Sequence, residues 1–168
     1  MSTLHVENLK GLSSGGNANK IIVPSGQTLT APGHIIQVTK SVITSNVQAT
    51  SSTYLDVGHS LVITPKFSNS LILLQNSAAG WHYDAGAPEV SGIRCKRNGS
   101  VIFTNDGQGF TDHGDWSTLW WGFNFFDTTH SSTSALTYTL EINGNRARYN
   151  DQSNAVNTAT FLAMEIAQ

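Results

Sequence analysis

Apolar residues along this chain either alternate with polar ones or fall in short runs bounded by Gly, Asn, Ser, Asp or Pro, and almost nowhere recur at helical spacing. That pattern predicts many short strands and no helix. Candidate strands cover 34–44, 45–50, 53–57, 60–64, 70–77, 91–97, 100–104, 117–126, 135–142, 146–150 and 158–166. Strands in this number, separated by turn signals, predict an all-β protein, an antiparallel β-sandwich of jelly-roll or TNF-like type. Two hairpins set the antiparallel sense. In Ile93-Arg94-Cys95-Lys96-Arg97-Asn98-Gly99-Ser100-Val101-Ile102-Phe103, the pair Asn98-Gly99 supplies the positive φ angles of a type I′ turn. Asn143-Gly144-Asn145, lying between the alternating stretches 136–142 and 146–149, reads as a second hairpin.

Before about Pro32 the pattern changes. Leu4, Val6 and Leu9 form one brief alternating segment, 13–19 is a run of small residues, and Ile21, Ile22 and Val23 precede Pro24-Ser25-Gly26. Pieces this short and separated cannot bury a core alone, so residues 1–33 read as an extended N-terminal arm that orders by lying on a neighbour. Residues 34–168 form the sandwich domain. Leu4, Val6, Leu9, Ile21 and Ile22 are then the arm's anchoring side chains.

Two segments are apolar on both faces: Leu71-Ile72-Leu73-Leu74, and the stretch 119–126 with Trp120, Trp121, Phe123, Phe125 and Phe126. A strand of a sheet with one wet face is not built this way. Their second face needs a cover, and the same sheet of a neighbouring subunit supplies one in trimers packed around an axis. Leu71, Leu73, Trp120, Phe123 and Phe125 are accordingly expected at an oligomer interface.

Composition narrows the classes of partner. At 168 residues the chain suits one domain with an appendage. Only 12% of residues are charged and the net charge is −2, which leaves no basic field for nucleic acid or an anionic lipid surface. No apolar run approaches the roughly 18 residues of a membrane span, and no charged-then-apolar leader opens the chain, so it is expected to be made in a cytoplasm without its own routing signal. Cys95, the only cysteine, alternates with Arg94 and Lys96 and is expected to face the core as a plain thiol.

Candidate chemistry falls in two loops. The stretch 110–116 carries Asp112, His113, Asp115 and Trp116, and 81–89 carries Trp81, His82, Tyr83 and Asp84. Aromatic faces stack on the C–H surface of a pyranose while carboxylates and amides bond its hydroxyls, so both loops are candidates for contact with a glycan or protein. Asp-His-Gly-Asp matches no strong metal-ligand spacing, and neither a metal nor a cofactor is expected. The bland alternative, Trp81 capping the core with solvated His82 and Asp84, carries equal weight. No acid pair lies in a recognisable glycosidase setting. No Gly-x-Ser-x-Gly elbow is present, Cys95 sits mid-strand, and 14–20 lacks the Walker spacing, so an enzyme is not expected.

The opening stretch 1–9, followed by Gly15-Gly16-Asn17-Ala18-Asn19-Lys20-Ile21-Ile22-Val23-Pro24-Ser25-Gly26-Gln27-Thr28-Leu29, resembles that of tail-fibre and structural proteins of marine and cyanobacterial tailed phages. The junction 31–38 is similar to the point where such proteins pass from arm to terminal β-domain. Phe125-Phe126-Asp127, Leu136-Thr137-Tyr138 and Leu162-Ala163-Met164-Glu165-Ile166 resemble their last strands. The resemblance implies a homotrimeric virion protein, made in the host cytoplasm, attached to other virion proteins by its arm and touching the host through distal loops. No shaft separates arm from head, which leaves a short tail-fibre-like part or a capsid decoration (head fibre or cement) protein as the two forms it implies. A small carbohydrate-active enzyme is the third and weakest alternative.

Overall fold

A computed structural model describes residues 13–16, 22–25, 27, 31–83, 89–111, 116–151 and 157–168, of which residues 89, 109–111 and 116 by backbone alone. The chain divides into two compact units, Met1–Thr30 and Ala31–Gln168. In the first, Pro24 accepts a 3.0 Å backbone hydrogen bond from Gln27, and Ile22 is exposed. Leu4, Val6, Leu9 and Ile21 lie outside the described residues.

The second unit is built of strands: β1 Ile35–Ile43, β2 Val47–Gln48, β3 Ser51–Ile63, β4 Leu71–Tyr83, β5 Glu89–Arg97, β6 Ser100–Thr111, β7 Trp116–Asp127, β8 Leu136–Gly144, β9 Arg148–Tyr149 and β10 Ala159–Ile166. All pairings are antiparallel. One sheet runs β1-β10-β4-β7, with the two-residue strands β9 and β2 continuing beside the far part of β4; the other runs β3-β8-β5-β6. Counting the long strands in chain order, first-eighth-third-sixth faces second-seventh-fourth-fifth. That order is the jelly roll, two Greek keys folded over one another.

Alternation places the core. Ile72, Leu74, Trp121, Phe123 and Phe161 point inward from one sheet and meet Ile63, Ile93, Cys95, Tyr138, Leu140 and Ile142 from the other. Phe103 of β6 lies 4.8 Å from Phe123 and 5.1 Å from Phe125 between ring centroids, which ties the sheets at the β6–β7 side. Asn98 and Gly99 carry φ of 49° and 85°, and Arg97 pairs with Ser100 across them, as the type I′ reading requires.

Three sequence expectations are corrected. The segments 53–57 and 60–64 are one strand, β3, bent by a bulge at Gly58, whose φ is +67°. The second hairpin does not form: after β8 the chain crosses to the other sheet, where β9 pairs with Gly80 and Trp81 of β4 and with β2. Gly144 permits that tight crossing, because a Cβ there would stand 2.8 Å from the Cβ of Ser91 and 2.9 Å from that of Ala147. The two candidate loops are also shorter than expected. Strand β4 continues through Tyr83, β6 reaches Thr111 and β7 begins at Trp116, because cross-strand pairing carries these polar and glycine-rich stretches into the sheet.

Candidate interaction surface

The register of β1, β10, β4 and β7 assigns every residue of that sheet to its inner or outer face, since directly paired residues share a face. Outward, the first row is Ile35-Ile166-Leu71 and the second Val38-Met164-Leu73-Phe126. These seven side chains are all apolar. Phe126 is 49% exposed, and Ile35 and Val38 are about as open. The third row, Lys40-Leu162-Gln75-Asn124, is mostly polar, and Gln75 Nε2 donates a 2.7 Å bond to Asn124 Oδ1 across the strands. The fourth, Val42-Thr160-Ser77-Gly122, is small at its β7 end. A polar band thus divides an aliphatic end of the face from an aromatic one.

The aromatic end is built on a glycine. Trp120, 60% exposed, sets the edge of its indole against Gly122, so close that a Cβ on Gly122 would come within 2.7 Å of Cδ1. Trp81 is its diagonal neighbour on β4, paired with Thr118 and Arg148. Arg148 in turn donates through Nε to Gln48, at 3.0 Å, and through Nη1 to Asp151, at 2.8 Å. Tyr83, the last residue of β4, has the Arg146 guanidinium 4.8 Å from its ring centroid.

This placement rearranges the sites expected from sequence. Trp81 and Tyr83 point outward on a strand, whereas His82 points inward and is fully buried, so it is neither solvated nor available to a ligand. Trp116 pairs with Tyr83 at the start of β7. The Trp116 side chain, Asp84, Asp112, His113 and Asp115 lie outside the described residues. Among the expected interface residues, Leu71, Leu73 and Trp120 are on the outer face. Phe123 and Phe125 are not: they take the inner parity and pack on Phe103, so the opposite sheet is what covers them.

The buried ionisable groups are engaged in holding the fold. Burial opposes ionisation of Asp127, but the Thr129 N–H, the Tyr138 hydroxyl and the Arg97 guanidinium outweigh it and hold the carboxyl below the usual aspartate range. Burial likewise opposes ionisation of Glu165, and the Lys66 and Phe67 N–H groups, Gln37 and Ser70 outweigh it, pinning the β3–β4 connection to β10. On the outer face of the other sheet, Glu141 is held below the usual glutamate range against its burial by Lys96 and Arg94, and Arg94 stacks 4.1 Å over the Tyr54 ring. Burial pushes the Cys95 thiol up to about 12, which keeps it protonated and unreactive. Among the described residues no group of three or more His, Cys, Asp or Glu side chains is placed to hold a metal ion.

No family model matches this sequence, and neither does any curated protein. Solved structures with a similar course include dimeric latent PorU from Porphyromonas gingivalis, at a TM-score of 0.35 and 9% identity, over 89% of this chain and 15% of that one. The structure of the infectious bursal disease virus Gx strain aligns at a TM-score of 0.36 and 13% identity, over 92% of this chain and 42% of that one. The chain therefore spans less than half the length of either neighbour. Its classification as a jelly roll stands on its own strand order.

Sequence reasoning missed Asp127, Glu165, His59 and Asn76 as structural polar groups, yet each sits on the core parity of its strand. Glu165 continues Phe161 and Ala163, Asp127 continues Trp121 and Phe123, and His59 falls between Val57 and Leu61. A polar residue on the apolar parity of a strand is the signal that finds them.

Proposed function

We propose that this chain is a non-enzymatic structural subunit of a bacterial-virus particle, assembling as a homotrimer and meeting the host surface at the end of the jelly roll that carries Trp81, Tyr83 and Trp120. The arm, residues 1–33, anchors it to another virion protein. The observation that carries this reading is the aliphatic end of the β1-β10-β4-β7 face. Its two rows, across four strands about 4.8 Å apart, present on the order of 250 Å² of flat area without a polar side chain. Its Leu71, Leu73, Met164, Ile166, Val38 and Phe126 side chains suit a second copy of themselves. Two further features support a structural role: the described buried acids are consumed by internal hydrogen bonds, and the jelly roll is an architecture used for building by contact.

The mass of the full chain in solution, measured by light scattering, is the test of assembly: a trimer is expected, and a monomer at high concentration overturns it. Leu73→Asp is expected to give monomers, whereas Val62→Asp, on the outer face of the other sheet, leaves the mass unchanged. Antibody labelling of particles places the subunit. Label at the tail supports the fibre-like form, label on the head turns the reading to capsid decoration, and unlabelled particles overturn the virion assignment.

A further inference from the structure

We propose that the Trp120 indole, its Cδ1–Nε1 edge set against Gly122 and its flank bordered by Ser77 and the Gln75–Asn124 amide pair, is a stacking platform for one neutral hexopyranose unit of a surface glycan. This rests on the host-contact part of the reading above. It moves the contact from the loops onto the sheet face and names the chemistry recognised.

Three observations carry it. First, the indole is exposed on the sheet face and packed along one edge. That edge meets the only position in its row without a side chain, and a Cβ at 122 would collide with it at 2.7 Å and 3.0 Å, so the sequence leaves room for this ring pose. With one edge packed and 60% of its surface exposed, the ring offers its electron-rich face to polarised C–H bonds. Second, the polar groups beside it are neutral and already oriented. Gln75 uses one N–H on Asn124 Oδ1, which leaves the Gln75 carbonyl as acceptor and the Asn124 amide as donor, side by side one row beyond Gly122. An adjacent acceptor and donor match two neighbouring hydroxyls of a pyranose, each of which both donates and accepts. The Ser77 hydroxyl, directly opposite Gly122, adds a third group. Third, among the described residues charge is kept away. Lys40, the charged residue in the row of Gln75, is two strands distant, about 10 Å across the sheet. Arg148, on the other side, is already paired with Asp151. An uncharged sugar fits this ground better than a sialylated or sulfated one, and better than a protein hot spot, where an Arg or acid partner for the exposed amides is the usual complement. A single such platform binds weakly; repetition on a trimer, and again around a particle, multiplies it.

The test is saturation-transfer NMR on the full chain with a panel of gluco-, galacto- and N-acetylglucosamine-configured oligosaccharides, and with a sialylated one. Transfer to the axial C–H protons of a neutral sugar is expected, with weaker or no transfer to the sialylated probe. Trp120→Ala is expected to weaken binding about tenfold, the scale of one aromatic stack, and Trp120→Phe to restore part of it. Gly122→Ala retains every functional group but displaces the ring, and is expected to weaken binding as Trp120→Ala does. Each variant is checked for unchanged mass and unfolding midpoint. Binding that survives both changes but is lost on Trp81→Ala overturns the platform while leaving host contact intact. A panel with no transfer at all overturns the ligand class, and a change of oligomeric mass in Trp120→Ala with sugar binding unaltered makes this ring a subunit contact instead.

Discussion

Arg97 of one sheet reaches across the sandwich to Asp127 of the other, its Nη1 standing 2.7 Å from both carboxylate oxygens. Asp127 is 1% exposed and also accepts from Tyr138 and Thr129, so the charge is surrounded by donors that all belong to this one chain. Removing one partner of such a pair leaves a charge with no compensation in a low-dielectric site. Arg97→Met is expected to cost about 3 kcal/mol in a urea titration. Adding Asp127→Asn is expected to cost little more, so a double-mutant cycle gives a coupling of at least about 1 kcal/mol. Additive losses would sink the idea that the two act as a unit.

Acid should weaken the fold in two stages. His59 is buried between Tyr149, 2.9 Å from its Nδ1, and the Ser41 carbonyl, 3.2 Å from its Nε2, and burial lowers its pKa below the ordinary 6.5 in spite of the Ser41 bond. The unfolded chain therefore binds this proton first, and the stability tied to neutral His59 is complete above 6.5 and lost as pH falls below it. Asp127, Glu141 and Glu165 are also lowered, from 3.8 for the aspartate and 4.5 for the glutamates. Their contribution is complete above those values and disappears as pH falls through the lower, folded ones. Unfolding midpoints followed from about pH 8 to about pH 3 should decline gently below about 6.5 and steeply below about 4.5. In His59→Gln the gentle limb should vanish and the steep one remain.

Gly80 sits where two backbones and a ring converge. Its missing Cβ leaves room for the Trp121 indole to donate a 2.7 Å hydrogen bond to the Arg148 carbonyl, and an added methyl would strike both partners. Gly80→Ala is expected to destabilise by about 3 kcal/mol, at the upper end of overpacking costs, and to broaden the Trp121 indole N–H resonance. Gly99→Ala, in the open turn after Asn98 where nothing stands within 4 Å, is expected to cost about 1 kcal/mol through its φ of +85° alone. Equal losses at the two glycines would refute the distinction between crowding and backbone strain.

Local signals were legible in the sequence and switches of sheet were not. Asn98-Gly99 announces its turn because two consecutive positive φ angles satisfy one hairpin geometry and little else. Asn143-Gly144-Asn145 carries the same residues but a different outcome, since β9 finds better partners in β4 and β2 than in β8, a choice made by tertiary packing that no window of residues contains. The apolar character of both faces of β4 and β7 was plain, but which phenylalanine faced which way depended on parity. Counting outward from Leu74 and Phe125, which pair directly, gives Phe123 to the core and Trp120 to the surface. The close approach of Trp120 to Gly122 was visible only as a glycine two residues after a tryptophan.

Cys95 offers a direct probe of core opening. Fully buried and held protonated, it should resist a maleimide or disulfide reagent in the folded protein and react on opening of the β5–β8 pairing. Labelling is expected to follow the global unfolding rate, and prompt labelling under native conditions would contradict its placement.

The position of β10 governs when the protein can fold. It lies between β1 and β4, with Met164 paired to Val38 on one side and Leu73 on the other, so this sheet stays open until β10 has been synthesised. During that interval two unpaired edges and the aliphatic row beside them are exposed together, the condition under which nascent β-chains stray into one another. A growing chain of this design is safest when kept apart from copies of itself until release, and it should gain more from a holding chaperone than from fast synthesis.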